Sequence, residues 1–259
     1  MNCLITINNK RKQENIIEIN KIYNEDCLTG MKKIADKSID MILCDLPYGT
    51  TQNKWDSVIP FDKLWEQYER IIKQNGIIAL TASQPFTSAL VMSNPKMFKH
   101  EWIWIKNRGG NFANTVREPM KEHESIVIFS RGKWTYNKQM QKRTGGGLDR
   151  VKYDYNKRAP TTNYGNIDNP KKQQSELRVP SSWQKFNVET GLHPTQKPVV
   201  LFEYLIRTYT NEGELVLDNC MGSGTTAIAC INTKRNYIGF ETDTTYYDIA
   251  QRRIEKLMI

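Results

Sequence analysis

The stretch Asp218-Asn219-Cys220-Met221-Gly222-Ser223-Gly224-Thr225-Thr226 constrains this chain most. It links a short apolar run, Glu214 to Leu217, to a helical run, Thr225 to Ile231. Glycines at such a junction let the backbone approach a ligand closely, and a helix N-terminus favours a negative group. The next apolar run, Tyr237 to Phe240, ends at Glu241, 23 residues after Asp218. In nucleotide-binding α/β folds an acid at about that offset takes ribose hydroxyls. A carboxylate suits a diol because it accepts both hydrogen bonds. By itself the turn is also compatible with a tight strand-to-helix junction holding no ligand. A phosphate-binding loop needs Gly-Lys-Ser/Thr at the helix start, and no lysine stands there. A ligand with a ribose but no phosphate chain fits, and S-adenosylmethionine is one.

The rest of the chain predicts repeated strand–helix units. Met41-Ile42-Leu43-Cys44 is a buried strand ending at Asp45, and Ile77 to Leu80 is another. Between them Phe61 to Lys73 has helical spacing, closed by Asn75-Gly76. Trp102 to Ile105 and Ser125 to Phe129 are strands flanking a Gly- and Asn-rich loop, 107–120. Val199 to Tyr209 and Tyr246 to Leu257 are helices. Strands alternating with helices imply an α/β, Rossmann-like, mostly parallel sheet with helices on both faces. From about Lys133 to Thr190 no period is visible, which predicts an irregular functional insertion. The expected organisation is an N-terminal extension (1–20), a catalytic half (21–130), an insertion (131–190) and a cofactor half (191–259).

The formal net charge is +9 over 259 residues. Arg131 to Val188 carries 13 Lys/Arg against 4 Asp/Glu, so this segment alone accounts for the excess. Localised positive charge suits a polyanion such as nucleic acid, although a solvated loop would look the same. Five cysteines without a CxxC pair and three scattered histidines predict neither disulfides nor a metal site. No apolar run is long enough to span a membrane, and no charged-then-apolar leader is visible, so a cytoplasmic location is expected.

Asp45-Leu46-Pro47-Tyr48 directly follows a buried strand, where ligands of open α/β sheets bind. An amino group on an aromatic ring is a poor nucleophile because its lone pair is delocalised. Two acceptors on its hydrogens draw the nitrogen toward pyramidal geometry. The Asp45 carboxylate and the Leu46 carbonyl, in a turn stiffened by Pro47, supply such a pair. Tyr48 can stack on the base, a contact worth ~1–3 kcal/mol. The alternative is a proline turn with Asp45 as a cap.

Taken with the glycine turn, the tetrapeptide resembles that of the β-class DNA amino-methyltransferases. Asp45-Leu46-Pro47-Tyr48-Gly49, His193-Pro194-Thr195-Gln196-Lys197-Pro198 and Asp218 to Thr226 carry the likeness, in that order, together with Glu241. The resemblance implies S-adenosylmethionine as cofactor and direct methyl transfer to an extruded base in double-stranded DNA. It puts Asp45, Leu46, Pro47 and Tyr48 at the catalytic positions. It puts Asp218, Gly222, Ser223, Gly224, Thr225 and Glu241 at the cofactor. His193, Thr195, Gln196 and Lys197 fall near the cofactor's methionine end, and Asp26 near its adenine. Leu46 stands where the family usually has proline, and the needed carbonyl is retained. Asp in the first position points to N6 of adenine. Cytosine N4 stays open, because some cytosine enzymes also have Asp, as does an inactive DNA-binding relative. Residues 131–190 occupy the place of target recognition, so Lys142, Arg143, Lys152, Lys157 and Arg158 are expected on DNA, with Arg108 and Asn111 from the 107–120 loop. Homodimers are common in that family. Trp102, Trp104 and Cys44 are expected to be packing residues.

Overall fold

The computed structural model describes residues 17–51, 53, 56–144, 176–192 and 195–257. Strand β2 (Ile39–Cys44) shows how the core forms. Its Met41 and Leu43 point to one face and Ile42 and Cys44 to the other, and all are fully buried. A strand covered on both faces must be apolar throughout, which is why its sequence does not alternate.

Around β2 lies an eight-stranded sheet in the order β1-β10-β9-β2-β3-β5-β4-β8. Its other members are β1 (Lys21–Tyr23), β3 (Ile72–Ala82), β4 (Phe98–Ile105), β5 (His123–Phe129), β8 (Trp183–Lys185), β9 (Leu215–Asp218) and β10 (Asn236–Phe240). Every pairing is parallel except the two made by β5. Helices α4 (Val199–Tyr209), α5 (Thr225–Thr233) and α6 (Thr244–Glu255) share a core with Met41 and Leu43. Helices α1 (Cys27–Met31), α2 (Phe61–Ile71) and α3 (Phe86–Ser93) share the other core with Ile42 and Cys44. The mostly parallel sheet covered on both faces is the one expected from the sequence.

Two departures have local causes. Helix α2 stops at Ile71, and β3 begins at Ile72 rather than Ile77. Ile72 adopts an extended ψ of 137° and pairs with Ile39, whereas Met41 pairs with Ile77. Residues 73–76 bulge between those pairs, and a Cβ on Gly76 would come within 3.0 Å of the Asp40 carbonyl. The second departure concerns the aperiodic stretch. Its described ends are structured: β6 (Gln141–Lys142) pairs with β7 (Leu177–Arg178), and β8 extends the main sheet through Ile103↔Trp183. Trp134, Phe186 and Val188 pack on the main core. Strands of two or three residues carry no readable period. Trp102 and Trp104 are buried as expected, and their indole N–H groups donate to the Tyr209 hydroxyl (2.6 Å) and the Phe186 carbonyl (2.9 Å). No helix among the described residues is long and apolar enough to cross a membrane.

Candidate active site

Because β2, β9 and β10 are parallel, their C-terminal ends lie on one edge. Asp45 follows β2, Asp218 ends β9 and Glu241 follows β10. β2 and β9 are neighbours through Met41↔Val216 and Ile42↔Leu217, so the tetrapeptide and the glycine turn are brought side by side. Both line one cavity of about 880 Å³. That volume lies within the usual range for sites holding a small-molecule ligand.

Asp45 sits at the centre of a polar cluster. Its Oδ1 accepts from the Thr81 hydroxyl and lies 2.9 Å from the Tyr48 hydroxyl, which is also 2.9 Å from Thr81 Oγ1. Its Oδ2 accepts from Lys197 Nζ at 2.6 Å. Lys197 Nζ also lies 3.5 Å from Glu124 Oε2, and Glu124 Oε1 pairs with Lys106. The four charges balance. Burial alone would push the Lys197 ammonium down, but the Asp45 and Glu124 carboxylates outweigh it and hold its pKa above the usual lysine value. Burial pushes Glu124 up, and Lys197 and Lys106 more than reverse that, leaving it below the ordinary glutamate value. The Tyr48 ring stacks on Phe86 (centroids 5.1 Å, 25°), and burial with the nearby Asp45 and Glu124 pushes its hydroxyl well up. Leu46 is anchored in the core by its side chain, which fixes where its carbonyl stands. Gly49 takes φ +68°, and the amides of Gly49, Thr50 and Thr51 all donate to the Asp56 carboxylate at 2.6–2.9 Å. This fixes the chain as it leaves the tetrapeptide.

The other end of the cavity is acidic. Asp26 caps α1 by accepting from the Thr29 amide at 2.9 Å. Asp218 is buried, bonded by the Thr226 hydroxyl and the Cys220 amide, and burial pushes it up to about 6. Glu241 accepts from the Gly222 amide (2.7 Å) and the Asp243 amide (2.8 Å), tying the turn to the next loop. Burial raises its pKa despite those bonds. Asp26, Asp218, Gly222, Ser223, Thr225 and Glu241 all line the cavity, as do Thr195, Gln196 and Lys197. Gly224 acts differently: with φ +84° it opens α5, and its Cα faces Ala250 of α6 rather than the cavity. Ser223 contacts Arg253 through its carbonyl (2.8 Å) and hydroxyl (3.3 Å).

This end suits S-adenosylmethionine. Gln196 Oε1 is buried on the cavity wall and accepts no hydrogen bond, while its Nε2 donates to Glu189. A free acceptor and three carboxylates lining one cavity match a ligand bearing an ammonium, a sulfonium and a diol, and oppose a phosphate chain.

Of the residues expected on DNA, Arg108 and Asn111 line the cavity. The Asn111 amide is occupied within its own loop, donating to Glu118 and Pro119 and accepting from the Lys121 amide (2.6 Å). Lys142 lies on β6 with Arg143 next to it, and neither lines the cavity. His193, Lys152, Lys157 and Arg158 lie outside the described residues. Cys44 is a buried thiol pushed up to about 12 by burial, in keeping with a packing role. Sequence reasoning missed Thr81, Lys106 and Glu124. Glu124 had one visible signal, a charge among the apolar residues of a buried strand. Lys197, which the resemblance puts near the cofactor's methionine end, lines the cavity, and its ammonium donates to Asp45.

A doubly covered parallel sheet with an acidic nucleotide end and a carboxylate facing it defines a group-transfer enzyme that uses a nucleoside cofactor. Residues 39–252 match the DNA methylase family of N6 and N4 enzymes. Type II methyltransferase M1.MboII of Moraxella bovis is 29% identical over 94% of this chain and 100% of its own length. DNA adenine methyltransferase YhdJ of Escherichia coli K12 is 28% identical over 92% of this chain and 83% of its own. The solved structure of an M1.HpyAVI–SAM complex superposes with TM-score 0.59 at 25% identity, covering 90% of this chain and 98% of that one. The chain belongs to the N6/N4 DNA methylase family: it is a DNA amino-methyltransferase, and S-adenosylmethionine is its cofactor.

Proposed function

We propose that this enzyme methylates N6 of adenine at a defined sequence in duplex DNA, after the target base has left the helix. The observation that carries this reading is the placement of Asp45 and the acidic cofactor end in one cleft, on adjacent parallel strands. A base stacked in a duplex cannot present its amine to a carboxylate lining this cleft, so the base is extruded. Asp45 and the Leu46 carbonyl accept the two amine hydrogens, and Tyr48 supports the base face. The cofactor, when bound, supplies a methyl group on a sulfonium leaving group. Asp45 lowers the cost of positive charge at the nitrogen as the new bond forms. Glu241, Asp26 and Gln196 hold and orient the cofactor, and Asp218 shapes the turn that cradles it. Residues 131–190 carry target recognition, with phosphate contacts from Lys142, Arg143, Lys152, Lys157 and Arg158. The likeness to one relative named as a DNA adenine methyltransferase also favours adenine.

The test is to incubate the purified protein with labelled S-adenosylmethionine and duplex DNA and to digest the product to nucleosides. N6-methyladenine is expected, and Asp45→Ala is expected to abolish it while cofactor binding persists. N4-methylcytosine would replace the adenine assignment. Equal labelling by wild type and Asp45→Ala would remove Asp45 from the chemistry. Single-molecule sequencing of DNA from cells expressing the gene gives the recognition sequence.

A further inference from the structure

The loop between β4 and β5 holds large apolar side chains out into solvent beside the cleft. Phe112 is 78% exposed and Val116 89%. Isolated exposed hydrophobics are ordinary, but here the loop that presents them is stiffly built. The Asn111 side chain bonds Glu118, the Pro119 carbonyl and the Lys121 amide. Backbone bonds from Gly110 to Lys121 (3.2 Å), Asn114 to Asn111 (2.9 Å) and Arg117 to Asn114 (2.9 Å) complete the frame. Gly109 lies against Met120, where a Cβ would meet the thioether at 2.5 Å or less. Phe112 opens the 3₁₀ turn that this frame supports.

β4 runs parallel to β2 and β3 in direction, being antiparallel to β5, which is antiparallel to β3. The loop after β4 therefore leaves the sheet at the edge that carries Asp45. Gly109, Gly110 and Asn111 line the cleft, and Phe112 comes next in the chain. Arg108 and Lys121 line the cleft, Arg117 lies in the same loop, and all three are exposed. An apolar ring on a fixed arm that also carries Arg108, Arg117 and Lys121, next to the residues lining the cleft, has a matching partner. That partner is a DNA duplex with a gap in its stack. Proteins that open duplexes place apolar wedges between base steps, because the wedge replaces part of the lost stacking.

We propose that Phe112, supported by Val116, is the wedge that enters the duplex as the target base leaves it, while Arg108, Arg117 and Lys121 hold the flanking phosphates. This rests on the base-extrusion reading above, and its test separates the two. The probes are two duplexes carrying the methylated sequence found by sequencing, one fully paired and one with an abasic site opposite the target. On the paired duplex, Phe112→Ala is expected to lose tenfold or more, about what the loss of one stacking step predicts. On the abasic duplex it should approach the wild-type rate, because the partner strand no longer holds the base. Phe112→Trp should retain activity on both. Equal rates for wild type and Phe112→Ala on the paired duplex would overturn the wedge, as would an equal loss on both duplexes. A lowered melting temperature for Phe112→Ala would assign the ring to internal packing and also overturn it. If the wild type itself methylates only single-stranded DNA, the extrusion reading fails first.

Discussion

Lys197 Nζ lies 2.6 Å from Asp45 Oδ2, across 152 residues of sequence, and its side chain is only 5% exposed. A buried ammonium against the Asp45 carboxylate fixes that carboxylate's rotation. It would also oppose positive charge developing on the target nitrogen, were Glu124 not 3.5 Å away on its other side. The pair and its counter-charge orient Asp45 without adding net charge to the cleft. Lys197→Met should therefore slow methyl transfer roughly 100-fold, the scale of a misplaced reacting group, with cofactor affinity preserved. Lys197→Arg should recover part of the loss, and Lys197→Met/Glu124→Gln should lose less than the two single changes combined. Single-turnover rates beside calorimetric cofactor titration check this. Collapse of cofactor binding with an unchanged rate constant would return Lys197 to the cofactor.

Glu241 links two loops and faces the cofactor end of the cleft. Glu241→Gln keeps the side chain's shape and one acceptor while removing the charge from its hydrogen bonds, each of which is worth about 1.5–3 kcal/mol. Cofactor affinity is expected to fall by about tenfold to a hundredfold. Calorimetry with S-adenosylmethionine measures this, and DNA affinity in a mobility-shift assay should be unchanged. An unaltered dissociation constant would show that no hydroxyl of the cofactor depends on the carboxylate's charge.

What the sequence made legible was local. Asp45, Asp218 and Glu241 each end an apolar run, so their placement at strand ends needed only the pattern around them. The glycine turn and the Asp-Leu-Pro-Tyr loop were equally self-contained. The pairing of Lys197 with Asp45 had no such signal, because it depends on how α4's leading segment packs across β2 and β5. Thr81, which bonds Asp45, sits inside an apolar strand and carries no motif. β8 has three residues and joins the sheet only through its backbone pairing with β4, which side-chain periodicity does not reveal. Gly224 shows a second kind of non-local constraint. It sits inside the glycine turn, and its φ of +84° and its contact with the neighbouring helix both need a glycine there.

That role can be isolated by comparison with Gly213. Both glycines have nearly the same left-handed φ, +84° and +82°. A Cβ at Gly224 would stand 3.0 Å from Ala250 Cβ, while one at Gly213 would meet nothing within 4 Å. Gly213→Ala should cost about 1–2 kcal/mol from backbone strain alone. Gly224→Ala should cost more, because α5 and α6 must also separate. Urea unfolding of both variants reads the difference, and equal costs would mean that the helices accommodate the methyl freely.

Asp218 gives the protein a pH dependence whose sign follows from its burial. Desolvation pushes its carboxyl up to about 6, from an ordinary value of 3.8, against the bonds from Thr226 and Cys220. Between those values the folded state binds a proton that the unfolded chain has released. The group's stabilising contribution is therefore complete below about pH 4 and is lost as pH rises through about 6, by roughly 3 kcal/mol in all. Asp218→Asn cannot ionise and escapes that loss. The difference in urea-unfolding free energy between the variant and the wild type should shift in the variant's favour by roughly this amount from pH 4 to pH 7. Other titrating groups are common to both proteins and cancel. A flat difference across that window would mean that the hydrogen bonds from Thr226 and Cys220 keep Asp218 ionised throughout, and that its burial costs the fold nothing that depends on pH.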